Sequence, residues 1–159
     1  MSKKPLVYLA MIVLAVMVLS ACGAKSADGG GTGGNKVGDP VEVKDKNLVI
    51  TMDSSAINTY KVTATFTIEN KGTADFAMDA KTTFIIDGTN GDEKVKLELD
   101  APSCGAKMIK GPVPAGGKVT GDLCWRGDPT LTWVNEAEIS FGGAAGAPGV
   151  VSWKVSVTE

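Results

Sequence analysis

The sequence predicts an all-β protein: a two-sheet antiparallel β-sandwich that follows a signal peptide and a flexible linker. Three observations carry this. From Val37 onward apolar residues recur at every second position, in short runs about ten residues apart. No stretch beyond the first 22 residues combines helical periodicity with caps. The chain opens on an apolar run that closes at a cysteine. The expected division is a signal at 1–21, a lipidated cysteine and Gly-rich tether at 22–36, and one sandwich domain at 37–159.

The N-terminal run sets the location. Lys3 and Lys4 precede Leu6 to Leu19, which is apolar over 14 residues apart from the Tyr8 hydroxyl. Such a run is too short to cross about 30 Å of hydrocarbon as a helix, and it fits a signal core. Leu19-Ser20-Ala21-Cys22 then stands where a lipobox belongs. The competing reading is an ordinary secretory signal cut near Ala21. Resemblance to bacterial lipoprotein signals implies cleavage before Cys22 and a diacylglyceryl thioether on its sulfur. Two or three palmitate-type chains, at about 0.8 kcal/mol per buried CH₂, would make a stable anchor. The expected location is therefore outside the cell, lipid-anchored to the outer face of the cell membrane or another envelope membrane.

Gly23 to Lys36 reads as a tether. Gly29-Gly30-Gly31 and Gly33-Gly34 lie among small polar residues that cannot bury enough surface to offset their ordering. As a coil it would reach roughly 20 Å.

The strands follow in order. Val41 and Val43 make a short first one, and Leu48, Ile50 and Met52 alternate along the next. Tyr60 to Glu69 is the clearest. Tyr60, Val62, Ala64, Phe66 and Ile68 share one face, with Lys61, Thr63, Thr65, Thr67 and Glu69 on the other. Asn70-Lys71-Gly72 supplies a turn. Phe84 and Ile86 lie on a further strand, Asp87 to Gly91 reads as a hairpin loop, and Val95, Leu97 and Leu99 alternate on its return. A loop with Pro112, Pro114 and Gly116-Gly117 leads into Lys118 to Trp125. Leu131 and Trp133 suggest a short strand. Glu136 to Phe141 and Val151 to Val157 pair last, across a Gly/Ala loop.

Composition narrows the chemistry. The chain has 159 residues and no histidine, which removes the commonest general base and the Ser-His and Cys-His pairs. Removing the signal takes 16 basic residues to 14 against 18 acidic, and the net charge from −2 to −4. That balance offers no footprint for nucleic acid. No Gly-x-Ser-x-Gly, Walker or Ser-x-x-Lys pattern stands in the mature chain. Asp75 and Asp79 could flank a substrate, but so small a chain has little room for a cleft. No enzyme, cofactor or metal is expected. Asp87, Asn90, Asp92 and Glu93 crowd one loop, yet the EF-hand register fails, because Gly91 falls fifth and Asp92 sixth.

Cys104 and Cys124 form an even pair in an exported chain, the signature of a disulfide. Alternation turns Val119, Leu123 and Trp125 to the core and Cys124 outward, so the bridge is expected to tie the Pro-rich loop onto the outer side of its own strand. Trp133 and Trp153 are expected in the core. Trp125, at a strand end, remains a candidate for ligand contact, and Met108 and Ile109 are the other candidates for an apolar surface patch.

Ile68-Glu69-Asn70-Lys71-Gly72 and Val113-Pro114-Ala115-Gly116-Gly117-Lys118-Val119-Thr120-Gly121-Asp122-Leu123 carry a wider likeness. Together they resemble the immunoglobulin-like domain of unknown function on bacterial exported lipoproteins, related in fold to the mycobacterial immunoprotective extracellular antigen. The resemblance spans about 37–159 and implies an immunoglobulin-like β-sandwich with no catalytic residues. The Cys104/Cys124 pair and Cys124-Trp125 fall outside that pattern. The expected function is a lipid-anchored interaction module contacting a protein or envelope component. The alternative is a structural or antigenic spacer with no specific ligand; a metal-dependent solute receptor or enzyme ranks behind both. A binding module should expose an apolar or aromatic surface that a spacer lacks.

Overall fold

The computed structural model of the protein describes residues 25–26, 34–130 and 133–157. The signal, the lipobox with Cys22, and Leu131 lie outside the described residues. The strands are β1 (Lys25–Ser26), β2 (Pro40–Val43), β3 (Leu48–Asn58), β4 (Lys61–Asn70), β5 (Phe84–Asn90), β6 (Glu93–Val95), β7 (Glu98–Leu99), β8 (Lys118–Arg126), β9 (Glu136–Phe141) and β10 (Val151–Ser156). Two single-turn helices, α1 (Ala80–Thr83) and α2 (Ala101–Cys104), interrupt them.

Alternation on β4 explains the packing. Val62, Ala64, Phe66 and Ile68 are buried, while Thr63, Thr65 and Thr67 face outward between β3 and β8. One sheet runs β1-β2-β3-β4-β8-β7, antiparallel except that β1 lies parallel to β2; the other runs β10-β9-β5-β6, antiparallel throughout. Within them, β3-β4-β8-β7 facing β10-β9-β5 reproduces the four-strand and three-strand order of an immunoglobulin constant-type domain, with β6 added at one edge.

Antibody domains pin their sheets together with a disulfide packed on a tryptophan. Here aromatic rings hold that place. The Phe66 ring of β4 lies 4.7 Å from Phe84 of β5 and 5.4 Å from Trp153 of β10, and Phe84 lies 5.2 Å from Phe141 of β9. All four residues are buried, so the cluster joins the sheets through the middle of the core.

The described structure departs from the sequence reading at several points. Strand β5 runs on through Asn90, so the expected Asp87–Gly91 loop shrinks to the Gly91-Asp92 turn, with Gly91 at φ 59°. The return strand does not stay with its partner. β6 pairs with β5, but β7 pairs with β8 in the opposite sheet, so the chain changes sheets at Lys96-Leu97. Nothing in a period-two pattern marks such a crossing. The ordered domain also begins before Val37. Asn35 donates to the Ser152 carbonyl from its backbone N–H at 2.8 Å and its Nδ2 at 2.9 Å, alongside β10, and Lys25–Ser26 takes a two-residue parallel register on Val41–Glu42. Strand edges with unpaired backbone groups attract such additions.

Candidate functional site

The bridge between Cys104 and Cys124 is formed, with Cα atoms 5.6 Å apart. Cys124 lies on β8 opposite Thr63, on the outer face, and Cys104 ends α2. What is tied down is α2 rather than the segment around Pro112 and Pro114. Asp100 begins α2, its carboxylate accepting from the Ser103 hydroxyl, and Gly105 ends it at φ 58°. That hydroxyl bond holds the Asp100 carboxyl below the usual carboxylate range, with weaker help from the Ser103 N–H and the charges of Arg126 and Lys61. Ser54, Ser55, Thr63, Thr65 and Asp122 share a shallow hollow with the bridge. Thr65 donates to Asp122 at 2.8 Å there, and Ser54 donates to Thr65 at 3.2 Å.

Ile109 and Trp125 do not form the expected exposed patch. Trp125 is 2% exposed, pairs across β8 with Val62 and Leu99, and faces between the sheets. Ile109 is 2% exposed because Gly121 leaves room for its segment: a Cβ at Gly121 would sit 2.7 Å from the Ile109 Cα. Met108 is half-buried against the same core.

The tryptophan that is exposed is Trp133, at 70%. It was expected inside on a strand, but Trp133 and Val134 lie in no strand, and Val134 takes the core position at 1% exposure. The Val134 N–H donates to the Thr59 carbonyl at 2.6 Å, which brings the loop against the β3–β4 turn. Asn135 N–H donates to Thr89, Asn135 Nδ2 donates to Asn90 Oδ1 at 2.7 Å, and Val157 N–H donates to the Asn135 carbonyl. Asn58 Oδ1 accepts from the Thr59 hydroxyl at 3.3 Å. Trp133 therefore belongs to the end of the sandwich that carries the β3–β4 turn, where Lys61 pairs with Arg126 and the Arg126 guanidinium lies 5.2 Å from the Tyr60 ring. Sequence reasoning missed this because one residue of register decides whether Trp133 or Val134 goes inside.

The remaining candidates have structural work. Asp79 caps α1 by accepting from the Lys81 N–H at 2.9 Å, and Asp75 accepts from the Ala115 N–H at 2.9 Å. Asn70, 1% exposed, was read only as a turn residue. Its Nδ2 donates to the Ala74 and Val113 carbonyls and its Oδ1 accepts from Gly72, so it joins the loops after β4 and before β8. Trp153 is buried as expected, although its Nε1–H finds no acceptor among the described residues. No group of three or more His, Cys, Asp or Glu is placed to hold a metal among the described residues, and no described helix is long and apolar enough to cross a membrane.

The strand order thus defines the class, an immunoglobulin-like two-sheet sandwich. No family model matches the chain, and no curated protein matches it. Among solved structures the chain is similar to the yjhA protein from Bacillus subtilis, with a TM-score of 0.53 and 14% identity, covering 78% of this chain and 99% of that one. At that identity the likeness extends to the fold alone.

Proposed function

We propose that the chain is an exported, lipid-anchored interaction module without catalytic activity. Cys22 carries the anchor, and the sandwich contacts a protein or an envelope component. The lipobox at Leu19-Ser20-Ala21-Cys22 supports the anchor, and a disulfide suits an oxidising compartment. The resemblance to immunoglobulin-like domains of exported lipoproteins belongs to this proposal. The observation that favours a module over a spacer is Trp133: a spacer gains nothing from leaving a tryptophan 70% exposed, whereas tryptophan is enriched where proteins meet partners.

The test begins with Cys22→Ala. In cells the wild type should sediment with membranes and enter the detergent phase, and the variant should appear in the soluble fraction. A variant that stays in the detergent phase sinks the anchor. Cross-linking on intact cells should then capture an envelope component with the wild type and lose it with Trp133→Ala. Equal capture by both would remove the support that Trp133 lends.

A further inference from the structure

We infer that the turn between β5 and β6 is a site of spontaneous covalent modification, at which Asn90 deamidates through the Gly91 nitrogen with Asn135 assisting. This goes beyond the interaction-module reading and does not depend on it. Of the asparagines in the chain, Asn90 alone precedes a glycine. The reaction brings the backbone nitrogen of the next residue onto the asparagine side-chain carbon, and a side chain on that next residue obstructs it. Gly91 has none, and the space a Cβ would take is open, with nothing within 4 Å. Gly91 is exposed, and its N–H makes no hydrogen bond among the described residues. The contrast is Asn70, which is buried, precedes Lys71 and has its amide bonded to Ala74, Val113 and Gly72.

The step needs only water. The Gly91 nitrogen loses its proton to hydroxide and attacks Asn90 Cγ. The Cγ–Nδ2 bond breaks, the departing nitrogen takes a proton from water and leaves as ammonia, and a succinimide ring closes. Water then opens the ring at either carbonyl, leaving aspartate or isoaspartate. While the ring forms, negative charge develops on Asn90 Oδ1. Asn135 Nδ2 already donates to that oxygen at 2.7 Å, and a donor aimed where charge develops lowers the barrier. Asn135 is itself fixed: its N–H donates to the Thr89 carbonyl and its carbonyl accepts from the Val157 N–H, both at 2.9 Å. The attack turns Asn90 about its backbone, which the exposed end of a hairpin allows through local opening. The product carries a carboxylate directly opposite Glu93, with Glu136 opposite the neighbouring Thr89. Like charges opposite one another weaken a strand pair. Isoaspartate also adds a carbon to the main chain at the residue that pairs with Glu93, which spoils the register of β6 on β5. Each copy of the protein would thus loosen one sheet edge irreversibly with age.

The experiment holds the full-length protein in detergent micelles at physiological temperature and mildly alkaline pH for days, with peptide mass spectrometry as the readout. The peptide containing Asn90 should gain the mass of an amide becoming an acid and separate into aspartate and isoaspartate forms, while peptides containing the other asparagines lag behind. Asn90→Gln, which would have to close a larger ring, should keep its mass. Hydrogen exchange at the β6 amides should quicken as the modified fraction grows. Asn135→Ala, with its fold checked by circular dichroism, should convert more slowly. Removing one such donor from a closed enzyme site costs roughly 100–1,000-fold; in this exposed turn the expected slowing is about tenfold. Should Asn135→Ala lose the fold, Asn135→Asp makes the same comparison, because it keeps the shape and takes away the donor. Three results overturn the inference: no mass gain at Asn90, an equal rate at another asparagine, or a folded Asn135 variant that converts as fast as the wild type.

Discussion

The sandwich is held in two different ways, and the two holds sit on opposite sides of the same sheet. Inside, Phe66, Phe84, Phe141 and Trp153 interlock between the sheets without a covalent bond. Outside, Cys104–Cys124 is covalent but joins only α2 to the outer face of β8, within one connection. Immunoglobulin constant-type domains combine a bridge and an aromatic in one place; here they are separated. The separation means the inner hold governs whether the two sheets associate, and the outer one governs how the segment from β7 to β8 lies.

Three experiments would break or sharpen that contrast. The largest effect belongs to Phe66→Ala, which removes the ring that touches both Phe84 and Trp153. It should cost about 3–5 kcal/mol, a large part of what a domain of this size has. Denaturant unfolding would measure it, and a loss under about 1 kcal/mol would show the rings do not pin the sheets. Next comes the double variant Cys104→Ala, Cys124→Ala. The bridge spans a sequence separation of 20, for which the chain-entropy account gives about 3 kcal/mol. The variant should unfold earlier yet keep the far-ultraviolet spectrum of a sandwich; loss of strand signal would mean the outer hold also organises the sheets.

The smallest effect concerns acid. Asp100 at the start of α2 and Asp128 in the loop after β8 have lowered pKa values, first through the hydroxyls of Ser103 and Thr130. A carboxyl whose folded pKa is lowered stabilises the fold above its unfolded pKa, and that contribution fades as pH falls through the folded value. Asp128 is exposed and Asp100 partly so, and screening by water keeps the effect small. The melting temperatures of the wild type and Asp100→Asn should differ slightly at neutral pH and converge below about pH 4. A gap that widens in acid would reverse the sign and refute the account.

What could be read from the sequence follows a physical line. β4 was legible because half-burial forces strict alternation between Val62 and Ile68 and between Thr63 and Thr67. The Cys104–Cys124 pairing was legible because no competing cysteine remains once Cys22 is set aside. Three features were hidden for a common reason: each depends on another part of the chain. The change of sheet at Lys96-Leu97 depends on the free edge of β8. The burial of Ile109 depends on the space above Gly121. The exchange of Trp133 for Val134 depends on a backbone bond to Thr59. Local pattern carries none of these, so the Trp125, Met108 and Ile109 patch looked plausible while Trp133 did not.

The two bonds from Asn35 to the Ser152 carbonyl have a consequence for the open side of the sandwich. They seat Asn35 on β10, in one sheet, while three residues further on the Gly38 N–H donates to the Met52 carbonyl of β3, in the other. The few residues between them act as a strap from sheet to sheet, over an edge that would otherwise carry unpaired backbone groups. Parting the sheets on that side would have to break the strap first.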